Sequence, residues 1–206
     1  MSLSRRSLVA SVAAVATLSL TSLPLLAQDT PSRIVSIGGG VTEIVFALEQ
    51  EHRLVARDTT STFPTEATLL PDIGYIRRLS PEGVLSVQPD MILTDEGAGP
   101  PETVELLEKA GIPFEEVPQG YDRDAILTKI RTVGEVLGLR AEAEELAARV
   151  GADIDAAMAE ADAAGKRVLF IISLQGGRVM ASGTGTAADG IITMVGAENA
   201  VSDYPG

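Results

Sequence analysis

The chain has 206 residues, with 16 lysines and arginines against 29 aspartates and glutamates, for a formal net charge of −13. Binding phosphates needs a basic face, so this balance argues against nucleic acid as a partner. Cysteine is absent, which removes disulfides, thiolate metal sites and a lipid-attachment cysteine; with His52 as the single histidine, Ser-His, Cys-His and zinc-hydrolase sites have nothing to be built from.

Residues 1–27 have the three parts of a cleavable secretory signal: Arg5 and Arg6, an apolar stretch from Leu8 to about Leu26, and Ala27 before a cut. Residues 4–8 also resemble a twin-arginine signal. A retained membrane anchor fits less well, because Thr17, Ser19, Thr21, Ser22 and Pro24 interrupt a stretch barely long enough to span a bilayer. The expectation is an exported, periplasmic protein. Losing the signal's two arginines takes the formal charge from −13 to −15 over about 179 remaining residues, enough for one good domain or one and a half small ones.

After the signal, residues 33–37 read as a buried strand, Gly38-Gly39-Gly40 as a tight turn, and residues 41–48 as a helix opening near Thr42. Residues 54–56 form the next strand and 58–62 a polar loop, with a short strand at Ile73-Gly74. Ser80 followed by Pro81 is a helix start. A strand over 91–94, a helix over 101–110 closed by Gly111, and a strand over 112–117 complete an alternation that signals an α/β layer with a mostly parallel sheet.

From Asp124 the period changes. Ile126, Ile130, Val133 and Leu137 share a helical stripe ended by Gly138. Residues 140–164 follow with Leu146, Val150, Ile154 and Met158 at four-residue spacing; such a helix would run about 37 Å and could serve as a strut between two lobes. Residues 167–173 and 178–181 are then strands and 186–195 a helix. The predicted fold is α/β, with two Rossmann-like lobes joined by a long α-helix. Its parts are an N-terminal ligand-binding lobe over 33–121, a helical connector over 122–164, and an incomplete C-terminal lobe over 166–206. The second lobe is expected to be truncated, because two strands and one helix leave an apolar face and open edges uncovered.

The glycine turn invites a dinucleotide reading, but the G-x-G-x-x-G pattern needs glycine where Glu43 stands, and a carboxylate repels phosphate. His52, between the first helix and second strand, belongs at the opposite end of the sheet from that turn, as a surface residue. Tyr75 and Arg77 put a phenol and a guanidinium two residues apart in a loop. A phenolate is a hard ligand for ferric iron, and a nearby guanidinium favours its ionised form. Packing or a cation–π contact is the plainer role for such a pair. Glu82, in the first turn of a short helix, has helix-dipole stabilisation as its plainer role.

The runs Arg57-Asp58-Thr59-Thr60-Ser61 with Pro64, and Pro71-Asp72-Ile73-Gly74-Tyr75-Ile76-Arg77-Arg78-Leu79-Ser80-Pro81-Glu82-Gly83, resemble the periplasmic haem-binding proteins of bacterial haem ABC importers, which have the class III periplasmic binding protein fold. Gln88-Pro89-Asp90, Ala98-Gly99-Pro100-Pro101, residues 185–189 and residues 196–200 extend the resemblance over everything after the signal. The resemblance implies haem as the transported ligand, held in a cleft between lobes, with Tyr75 as axial iron ligand and Arg77 hydrogen-bonded to the phenolate. It also implies docking of Glu82 onto an inner-membrane ABC permease that works with its ATPase. Some members carry a second tyrosine where this chain has Phe63, and some a second-lobe histidine, which residues 166–206 lack.

The leading expectation is therefore capture and delivery of haem without chemistry on it. A ferric siderophore or cobalamin carrier of the same fold is the alternative. An enzyme such as a chelatase would have only a thin acid–base set to work with.

Overall fold

The structure, a computed structural model, describes residues 30–206, so the expected export signal lies outside the described residues. Four short runs, β1 (Ile34–Ile37), β2 (Leu54–Arg57), β3 (Met91–Asp95) and β4 (Phe114–Val117), form a parallel sheet in the order β2-β1-β3-β4. The two central strands are buried along their whole length, as strands covered on both faces must be. Alternation sends Ile34, Met91 and Leu93 to one face and Val35, Ile37 and Ile92 to the other. The register slips by one residue between Ile34, opposite Leu54, and Val35, opposite Ala56. That extra residue in β2 puts Leu54 and Ala56 on opposite faces despite their even spacing.

Five helices accompany this sheet: α1 (Gly39–Ala47), α2 (Pro81–Ser86), α3 (Pro101–Lys109), α4 (Arg123–Leu137) and α5 (Arg140–Glu160). On one face Val41, Val45, Ile130, Val133 and Leu146 bring α1, α4 and α5 onto the strands, while on the other Val84 and Leu107 seat α2 and α3. The result is three layers with two apolar cores. The expected helix start at Ser80 holds, its hydroxyl accepting from the Gly83 amide at 2.9 Å with Pro81 next in chain; α4 has a cap the sequence reading did not name, the Asp122 carboxylate on the Ala125 amide at 2.7 Å.

Two helix boundaries and one helical stripe differ from expectation. α1 begins at Gly39 rather than near Thr42, because Gly38 alone, at φ 104°, makes the strand-to-helix turn and leaves the next two glycines free to be helical. α5 stops at Glu160, not 164, which gives it a length of about 31 Å. The α4 stripe is centred on Leu127 rather than Ile126, which is only partly buried. Helices α4 and α5 approach closely at Gly134, where a Cβ would collide with that of Ala143. Two forked ion pairs clamp them, Arg123 to Asp155 at 2.6 and 2.7 Å and Arg131 to Glu144 at 2.7 and 2.8 Å. Beyond Gly151, α5 leaves the core and Met158 is exposed.

The remaining elements are β5 (Arg167–Val168), β6 (Ile171–Gln175), β7 (Arg178–Ala181), α6 (Ala187–Met194) and β8 (Glu198–Asn199). The single strand expected over 167–173 is thus divided: β5 pairs in parallel with β8, whereas β6 turns back antiparallel on β7. Among residues 168–174 the large apolar side chains are 38–68% exposed. No described helix is long and apolar enough to cross a membrane.

Candidate ligand-binding site

In the order β2-β1-β3-β4 the chain steps from β1 to one side and returns past it to the other, so the carboxyl ends of β1 and β3 flank the switch point where parallel α/β sheets hold ligands. Gly38 lies there against Asp95, whose carboxylate occupies the space a Cβ would need. Asp95 is buried and paired with the Lys129 ammonium of α4 at 2.5 Å. The Gly38 amide donates to Asp58 at 2.9 Å; Asp58, fully buried, also accepts from the Thr60 amide and from the Thr60 and Ser61 hydroxyls at 2.7–3.1 Å. Hydroxyl contacts among Ser61, Thr42 and Ser36 continue this network inward. The glycine-rich turn therefore has one carboxylate on its leading amide and another beside it, which disfavours phosphate more firmly than Glu43 alone.

Residues 71–79 are slung across this edge. At one end the Arg57 amide donates to the Pro71 carbonyl and the Ile73 amide to the Arg57 carbonyl, both at 3.0 Å, and the Thr59 amide donates to the Gly74 carbonyl at 2.9 Å. At the other end the Gly99 amide donates to Ile76 and the Leu79 amide to Gly99, both at 2.9 Å. The segment thus hangs between the loops that follow β2 and β3. The expected strand at Ile73-Gly74 is reduced to a single bridge between Arg57 and Asp72, because Gly74 turns to φ 104° and leaves the extended conformation.

Tyr75 sits midway along this span, 44% exposed, and its hydroxyl has no hydrogen bond to another described residue. It leads into a 3-10 turn, Ile76–Arg78, that puts Arg77 beside Gly97, with Nη1 3.9 Å from where a Gly97 Cβ would stand. Among the described residues no carboxylate lies within 4.0 Å of Arg77 or Arg78. Glu82 is exposed in the first turn of α2, five residues past Arg77. The structure therefore brings Tyr75 and Arg77 onto one turn, with Glu82 on the adjoining helix. His52 is exposed in a 3-10 turn leading into β2, at the opposite edge.

A groove of about 430 Å³ runs between α1, α4 and α5, lined by Glu43, Ile44, Phe63, Ile126, Lys129 and Leu146 among others. Burial pushes the Glu43 carboxyl above its ordinary pKa. Asp58, Asp72 and the Asp95–Lys129 pair were not singled out by sequence reasoning. Asp72 carried a readable signal, an aspartate two residues before a glycine, which favours a side-chain-closed turn. Asp95 and Lys129, 34 positions apart, carried none.

Comparison with known proteins bears on the fold. The family described as "Periplasmic binding protein" matches residues 34–206. The fold is similar to the periplasmic heme-binding protein RhuT from Roseiflexus sp. RS-1, at 40% identity and a TM-score of 0.76, covering 82% of this chain and 65% of that one. It is also similar to the periplasmic heme-binding protein BhuT in complex with two hemes, at 35% identity and a TM-score of 0.78, covering 84% and 68%. Among curated proteins, an uncharacterized ABC transporter substrate-binding lipoprotein, YvrC of Bacillus subtilis, is 25% identical over 184 residues. A vitamin B12-binding protein of Yersinia pestis is 31% identical over 102 residues, half of this chain and 35% of that protein. The chain spans 58% of the length of the Bacillus relative and 65% of the Roseiflexus protein. By the match over residues 34–206, the chain belongs to the periplasmic binding protein family.

Proposed function

We propose that the chain is the ligand-capturing part of a periplasmic haem-binding protein, exported by the signal in residues 1–27, with Tyr75 as the phenolate ligand to the ferric iron of haem. The observation that carries this reading is the half-exposed, unbonded Tyr75 phenol at the sheet's switch point, beside guanidiniums with no carboxylate partner. A phenolate is a hard oxygen ligand that suits ferric iron. Haem carries two propionates, which an unpaired arginine pair at the cleft edge can attract. Binding and release change only the axial coordination of the iron and leave the covalent structure of the cargo intact, so the reading is transport and not catalysis.

In the same reading, 33–121 forms the ligand-binding lobe, 122–164 the connector and 166–206 the first part of a second lobe. Glu82, exposed beside the site, offers its carboxylate to an ABC permease, which an ATPase drives. The vitamin B12-binding relative favours cobalamin as a second reading. Titration of the protein with haemin and, separately, with cyanocobalamin separates the two. The haem reading expects a one-to-one high-spin tyrosinate spectrum and no response to cyanocobalamin; the opposite pattern would establish the second.

A further inference from the structure

We infer that Asp72 is a positioning residue for Tyr75, acting with Arg57 as a clamp that fixes the glycine hinge on which the tyrosine is mounted. This rests on the proposed role of Tyr75. The carboxylate has three donors: the Gly74 amide at 2.8 Å and the Thr59 hydroxyl at 3.1 Å on one oxygen, and Arg57 Nη1 at 2.9 Å on the other. Arg57 is itself held, since the same Nη1 donates to the Asp58 carbonyl at 3.0 Å and its side chain is only 11% exposed. The clamp is therefore rooted in the buried network beneath the Gly38 turn, and it reaches the residue immediately before Tyr75.

Gly74 shows why a clamp is needed. It has φ 104°, and a Cβ placed on it would meet nothing within 4 Å, so glycine is present for its backbone conformation and not for close packing. A glycine is also the residue most free to leave that conformation. Apart from the Thr59 amide on its carbonyl, the Gly74 peptide is held by Asp72. A ligand-bearing tyrosine on an unrestrained glycine would have to be ordered at each binding event, at a cost in affinity. The Asp72 side chain is 38% exposed, and so open an ion pair adds little to global stability. The clamp acts on the local geometry of Tyr75 more than on the fold.

Asp72→Ala and Asp72→Asn test this in the full chain. Asn retains an oxygen for Gly74 and Thr59 and loses the charge facing Arg57; Ala loses all three contacts. In apo protein, the Gly74 amide of Asp72→Ala should exchange with solvent about tenfold faster, on the order of what loss of its one acceptor implies, while Asp72→Asn stays near wild type and all three melt alike. In haem-loaded protein, Asp72→Ala should pass haem to an apoglobin about tenfold faster. Unchanged Gly74 exchange in Asp72→Ala would overturn the inference, and so would faster exchange spread evenly through β1 and β3 with a lowered melting temperature. If wild-type protein takes no haemin the proposed cargo is wrong, and Gly74 exchange then decides the clamp by itself.

Discussion

Two regions of this chain are built from the same kind of strand and reach opposite states. In the first, Ile34, Val35, Ile37, Ile92 and Leu93 are completely buried. In the second, Ile172, Leu174, Val179 and Met180, equally apolar, are each more than half exposed. Hydrogen bonding alone does not separate them, since β6 and β7 are laddered too, antiparallel where β1 and β3 are parallel. What differs is cover: the parallel sheet has helices on both faces, whereas in residues 166–206 a single helix, α6, contributes the one deeply buried large apolar residue, Ile192. Sequence sets which runs become strands, but at roughly 25 cal/mol per Å² it is removal of apolar surface from water that holds them.

Hydrogen exchange on the 206-residue chain tests this contrast in cover most directly. Amides of β1 and β3 should exchange near the limit set by global unfolding, and those of β6 and β7 faster by about three orders of magnitude. Uniform protection through residue 206 would remove the distinction. A pair of leucines sharpens it. Leu93→Ala should cost about 3 kcal/mol in denaturant unfolding, because a completely buried side chain leaves a cavity. Leu174→Ala, at a residue 68% exposed, should stay within about 0.5 kcal/mol. Equal costs would mean that the second region contributes a core of its own.

The smallest effect concerns the charge that the first region tolerates. Burial raises the folded pKa of Glu43 above its ordinary 4.5. Between the two pKa values the folded state holds more protons than the unfolded state, so stability falls as pH rises through that window and stays lower above it. Glu43→Gln should raise the melting temperature slightly at neutral pH and leave it unchanged below about pH 4, where both side chains are neutral. A melting temperature lowered at neutral pH would show that the ionised Glu43 makes a favourable contact.

Much of the fold was legible because its signals are local: apolar runs of strand length, Ser80 as a cap, and Gly138 as a left-handed stop at φ 80°. The candidate site was legible only as Tyr75 and Arg77, which lie two residues apart and share a turn. What places that turn is a set of distant contacts, Thr59 to Gly74, Gly99 to Ile76 and Asp72 to Arg57, that exist only once β2 and β3 are set on either side of β1. The division of 167–173 into two strands was likewise invisible, because Leu169 and Phe170 continue the apolar run without a break in composition. The β2 register slip cannot be read from Leu54-Val55-Ala56 for a similar reason: it depends on which strand lies alongside.

The central claim is that Tyr75 holds the iron of haem, and an absorption spectrum tests it. Haemin added to wild-type protein should give one-to-one binding with the bands of a high-spin ferric tyrosinate complex. Tyr75→Ala should abolish those bands while its circular dichroism and melting temperature match wild type, since the phenol makes no hydrogen bond to the described fold. A Tyr75→Ala protein that binds haemin with an unchanged spectrum would contradict the account.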